Sequence, residues 1–122
     1  MIQNNKKYDL EERLINFAVS IISITEKLPN TQAGKHIAGQ LVRSGTSPAS
    51  NYGEAQSAES QKDFIHKLKI SLKELRESRI WLIILNKKNL ISAKNELKSI
   101  LSECEELIRI FVKCIKTAES NK

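Results

Sequence analysis

Lys62, His66, Lys69, Lys73 and Arg76 recur at steps of four, three, four and three. On a helix such steps return to one face. At the helical rise the row is about 21 Å long. The chemistry open to it is electrostatic. A ladder of cations can face the phosphates of a nucleic acid, which recur every few ångströms along the backbone. Lys67, Arg79, Lys87 and Lys88 flank the row, while Glu59, Asp63 and Glu77 lie near it in sequence. A solvated and partly neutralised helix face therefore competes with phosphate contact. No aromatic accompanies the row, which argues against base stacking. Binding through it would be led by phosphates and sensitive to salt.

Arg43, Asn51 and Glu54 stand eight and three residues apart, beside glycines and alanines. Charged groups at a close helix contact must be paired, because an uncompensated buried charge costs several kcal/mol. The expectation is a structural polar network that sets register, with a functional pocket as the other reading. Other chemistry finds little support. His36 and His66 fall on different predicted helices, and neither sits in an HExxH or ExxH pattern. Glu74 and Glu77 read as surface or interhelical ion-pair residues, and no metal or cofactor is expected. There is no GxSxG elbow, no cysteine with a recognisable histidine partner, and no Walker loop in the Gly45–Ala55 stretch. The serines and threonines there are better read as local backbone partners. The expectation is a protein without catalytic residues.

The elements that must carry these residues are helices. The 122 residues hold only four glycines and two prolines, and 5% are aromatic. Four amphipathic segments are predicted over about 9–28, 32–57, 60–86 and 93–118. In the first, Asp9 is the expected N-cap and Leu10, Leu14, Phe17, Ile21, Thr25 and Leu28 the buried stripe. Ile15, Ala18, Ile22 and Ile24 widen its apolar surface. Pro29 ends it. The second contains Pro48, and two readings compete: one helix kinked at the proline, which we favour, or two short helices broken near Ser44–Ser47. Gly39 and Gly53 are expected to let a neighbour approach. The third opens at Ser60, with Asp63 in a loose capping box. Phe64, Leu68, Ser71, Leu75, Ser78, Leu82 and Leu85 mark its seam. Its C-terminal half is apolar nearly all round, so Ile80, Trp81 and Ile84 are expected at an interface between copies. Ser92 is expected to cap the fourth, whose stripe runs from Leu97 through Cys104 and Phe111 to Ile115. Arg109, Lys113 and Lys116 then suit its negative end. The predicted architecture is all-α: one domain over residues 1–122, an antiparallel up-down-up-down four-helix bundle.

The balance of charge gives the class of partner. Twenty Lys and Arg against fourteen Asp and Glu leave a formal charge of +6. Such a surplus makes polyanions plausible partners, although a merely basic surface would look the same. Met1–Tyr8 is polar, without the apolar core of a secretory signal. No apolar run approaches the ~20 residues that span a bilayer. Cys104 and Cys114 lie about 15 Å apart on one predicted helix, too far to pair. They read as reduced thiols of a cytoplasmic protein, with Cys104 in the core.

At the centre of the chain the residues become familiar. Gln40-Leu41-x-Arg43-Ser44, Ser47, Asn51, Gly53-Glu54-Ala55, Ser57 and Ser60 come first. Asp63-Phe64-x-x-Lys67-Leu68, Ser71, Glu74, Glu77 and Trp81-Leu82 follow. Together they resemble the four-helix bundle family that includes proteins encoded in 23S ribosomal RNA intervening sequences. The resemblance runs from Tyr8 to Val112 and is most specific in its middle. It implies an antiparallel four-helix bundle that assembles as a ring-shaped homopentamer. A related branch, the accessory variability proteins of diversity-generating retroelements, is associated with nucleic acid and a reverse transcriptase. The resemblance supplies no catalytic residues. Two functions are therefore expected in competition: a non-catalytic oligomer that binds RNA or DNA backbone, and an assembly scaffold for a protein partner.

Overall fold

The computed structural model describes residues 2–121, with side chains from residue 9 onward. Four helices follow one another: α1 (Ile2–Thr25), α2 (Gln32–Ala55), α3 (Gln61–Lys88) and α4 (Lys94–Ser120). Each packs on its neighbour in the chain and α1 closes on α4, while among the described residues the diagonal pairs keep their backbones apart. This is the expected up-down-up-down bundle.

Local chemistry explains the helix ends, and two expected caps are corrected. Asp9 lies inside α1 and so is not its N-cap. At the other end, Lys27 and Leu28 donate to Ile24 and Thr25 in a tighter turn. Pro29 disfavours helical backbone at Leu28, so α1 ends before the predicted residue. Thr31 caps α2, its hydroxyl accepting from the Gly34 amide at 3.0 Å. Ser60 caps α3 in the same way, accepting from Asp63 at 3.0 Å. Asn89 ends α3 in the left-handed region at φ 61°, where the Leu90 amide reaches back to the Leu85 carbonyl. Ser92 is not the cap of α4. That position falls to Ala93, which has no side-chain bond to offer.

The core is aliphatic and continuous. Leu14, Phe17, Ile21 and Ile24 of α1 meet Leu41 and Tyr52 of α2. Leu68, Leu75, Leu82 and Leu85 of α3 meet Leu97, Cys104, Leu107 and Phe111 of α4. Tyr52 and Phe111 stack edge to face at 6.0 Å. Among the described residues no helix is long and apolar enough to cross a membrane.

α2 is a single helix through the buried Pro48, which removes the two-helix reading. It is the thin element of the bundle. Toward α3 it presents Ser44, whose hydroxyl meets that of Ser78 at 2.8 Å in full burial, and the Ser71 hydroxyl donates to the Pro48 carbonyl at 3.2 Å. Toward α1 it presents Gly45. A Cβ there would stand 2.7 Å from Ile21 Cγ1 and Cγ2. Gly39 and Gly53, expected at close contacts, have nothing within 4 Å of a Cβ position. The close approach belongs to Gly45 instead.

Two predictions follow from this packing. Gly45→Ala will destabilise the fold by about 1–3 kcal/mol through overpacking. Gly39→Ala will stabilise it by about 0.5–1 kcal/mol, since only helix propensity changes; chemical denaturation distinguishes the two. The second concerns pH. The Cys104 thiol donates to the Leu75 carbonyl, and burial pushes its pKa up to about 12. An unfolded thiol titrates near ~8.5. Between that value and about 12 the folded state holds a proton the unfolded state has lost. Stability is intact below this window and falls as pH rises through it, by up to about 1.4 kcal/mol per unit. Urea midpoints will drop from about pH 8.5 upward. Cys104→Ala, weaker throughout, will drop less steeply.

Candidate nucleic-acid interface

Lys62, His66, Lys69, Lys73 and Arg76 all lie exposed along α3. Their spacing and the register of α3 put them on its outer face, leaning toward α4. Lys69 pairs with Glu119 of α4 at 3.1 Å, and Arg79, at the edge of the row, with Glu105 at 3.1 Å. Lys62, Lys73 and Arg76 make no ion pair with a described residue.

Those two bridges fix how α4 lies beside the row. Glu105, Arg109, Val112, Lys116 and Glu119 step by four, three, four and three along α4, so one edge carries them all. Its ends are tied to α3. In that antiparallel register Arg109 comes level with Arg76, and Lys116 level with Lys69. Lys113 stands one position outside the edge. Arg109, Lys113 and Lys116 are exposed and make no ion pair with a described residue. The basic face is therefore built from two helices. Sequence reasoning assigned the α4 cations to the helix dipole. The same periodicity that revealed the α3 row was present in α4, but only the ion pairs show that the two rows adjoin.

The expected network of Arg43, Asn51 and Glu54 is not formed. Each finds a different partner, and the two charged members are exposed. Arg43 reaches across to α3, donating to Glu74 at 2.8 Å and to Glu77. Glu54 accepts from Lys67 of α3 at 2.6 Å, a bond that raises the lysine pKa. Asn51 stays within α2, donating to the Ser47 hydroxyl and carbonyl. The two charged residues thus clip α2 to α3 from outside. The buried polar contacts of that seam are made by serines. Glu74 and Glu77 are interhelical ion-pair residues, as their surroundings in sequence suggest.

Ile80 and Ile84 continue the α3 face past Arg76 and are exposed. Trp81 is turned away from them. Its indole N–H donates to Glu77 at 3.0 Å, and its ring meets His36 of α2 edge-on at 5.8 Å. It is a half-buried part of the α2–α3 seam, which corrects its expected place beside Ile80 and Ile84.

Other polar groups make structural contacts. In the recess between α1 and α4, Arg13 donates to Glu103 at 2.7 Å and to Glu106 at 2.6 Å, holding the Glu106 carboxyl below its usual range. Cys104 and Cys114 are free thiols, and burial raises the pKa of both. Among the described residues no three of His, Cys, Asp and Glu gather as a metal site requires.

Comparison with known proteins places this geometry. No curated protein matches the chain. A solved structure from Bacteroides thetaiotaomicron, described as a protein with unknown function from the S23 ribosomal protein family, superposes with a TM-score of 0.80. The two sequences are 34% identical, and the match covers 88% of this chain and 98% of that one. The model of the family described as 23S rRNA-intervening sequence protein matches residues 6–113. With the bundle, its seam and this match in agreement, the chain belongs to the 23S rRNA-intervening sequence protein family.

Proposed function

We propose that the protein is a non-catalytic, self-associating binder of nucleic-acid backbones, RNA or DNA, acting in the cytoplasm through the α3–α4 face. One observation carries the reading. Lys62 on α3 and Lys113 and Lys116 on α4, all exposed and without ion pairs to described residues, share a face with His66 and Lys69. Charges left uncompensated on rigid neighbouring helices present a focused positive potential. Self-association, into the five-membered ring that the family resemblance implies, would multiply such faces in one particle and raise avidity. The exposed Ile80 and Ile84 support it.

The absence of an exposed aromatic on the face directs the contact to phosphates rather than bases. Affinity will then fall steeply with salt and depend little on sequence. The test is fluorescence anisotropy of labelled RNA and duplex DNA across a salt series, with protein freed of bound nucleic acid. Replacing Lys62, Lys69, Lys113 and Lys116 together by Ala will weaken binding at least tenfold. It will flatten the log–log salt slope by roughly three to four. Unchanged affinity and slope would overturn the assignment.

A further inference from the structure

α1 carries a second exposed stripe, and its composition mirrors the far half of α3. Glu12, Ile15, Val19, Ile22 and Glu26 step by three, four, three and four, and all five are exposed. Val19 keeps 56% of its surface open and Ile15 48%, high values for β-branched aliphatic residues in a bundle. The Ile21–Gly45 contact and the Arg13–Glu103 pair fix the roll of α1. At about 100° per residue the stripe falls on its outer side, toward α2. The exposed Val42 of α2 extends it. On α3, Lys73, Arg76, Ile80, Ile84 and Lys87 step by three, four, four and three, and they too are all exposed.

Each stripe covers fourteen residue steps, about 21 Å of helix. Each has an apolar centre between charged ends. The ends are acidic on α1 and basic on α3. None of Glu12, Glu26, Lys73, Arg76 and Lys87 makes an ion pair with a described residue of its own chain. Equal length, matched apolar centres and opposite rims are what a complementary contact requires. The stripes lie on different sides of one subunit, so they cannot meet within it.

We infer that the acidic-rimmed stripe of α1 is a docking face for a second copy of the chain, which seats the basic-rimmed stripe of its α3 against it. The inference rests on the self-association in the reading above and specifies its surfaces. The contact is head-to-tail: every subunit offers one face of each kind, so identical copies add in one direction until a ring closes. It also divides α3. Lys73, Arg76 and Lys87 rim the contact between copies. Lys62, His66 and Lys69, with Lys113 and Lys116, stay open to phosphate.

Charge reversal tests this directly, with mass read by light scattering on nuclease-treated protein. The wild type will run at several times the 13.8 kDa of one chain. Glu12→Lys with Glu26→Lys will lower the mass toward one chain, and so will Arg76→Glu with Lys87→Glu. A chain bearing all four changes will reassemble, and circular dichroism will show that both double variants keep the helical fold. Two outcomes overturn the inference while leaving self-association intact: an assembly unmoved by either double variant, or one broken by a single set and not restored by the other. A wild-type mass of one chain would overturn both, whereas loss of nucleic-acid binding alone would leave this contact standing.

Discussion

The thinness of α2 is the constraint on which the bundle depends. It must approach α1 and α3 together, and it can do so only with small residues on both flanks. Gly45 admits Ile21 on one side; Ser44, Ser71, Ser78 and Pro48 settle the other. A buried hydroxyl without a partner costs about 1–3 kcal/mol, so the Ser44–Ser78 pair is as much a demand as a bond. It holds α2 and α3 at one register and one distance. Arg43 and Glu54 then add clips at the surface, where ion pairs contribute little individually. Slippage along this seam would leave hydroxyls unpartnered, and the helices have no neutral way to make it.

From this arrangement follows the partition of the surface. α3 turns its leucines inward, where Leu68, Leu75, Leu82 and Leu85 fill the core. Its outward face is cationic for most of its length and apolar toward its end. α4 adds its own cations to the same side, moored by Lys69–Glu119 and Arg79–Glu105. α1 shows the opposite sign on the far side of the subunit. A chain of net charge +6 is thus polarised rather than uniformly basic. Polarity of this kind lets one subunit serve two partners of different chemistry on separate faces.

Much of this was legible in the residues. Helix number, order and core stripes follow from a period of 3.6, because each helix has one strongly apolar side. Ser60 and Pro29 acted at the ends as their backbone chemistry requires. What stayed hidden depends on neighbours. Gly39 and Gly45 look alike in sequence, and only the position of Ile21 tells them apart. Arg43, Asn51 and Glu54 share one helix and suggest mutual pairing, yet Arg43 and Glu54 find their partners, Glu74, Glu77 and Lys67, on α3. Arg109 and Lys116 looked like dipole companions until the bridges to α3 set them beside Arg76 and Lys69. Trp81 looked like part of an apolar surface, but Glu77 and His36 turn it inward. Ser92 failed as a cap because the chain enters α4 one residue later.

The order of the helices around the ring has a kinetic consequence. Three of the four helix pairs whose backbones pack together are adjacent in the chain, each linked by a short turn. The fourth, between the first and last helices, is where the packing is least close, and salt links such as Arg13–Glu103 and Lys27–Glu96 bridge it. Loops that close early are short, and the one long loop closes on the weakest contact. Topologies dominated by local contacts fold fast. Here hairpins of neighbouring helices can form while the chain is still emerging, with the meeting of its two ends as the final step.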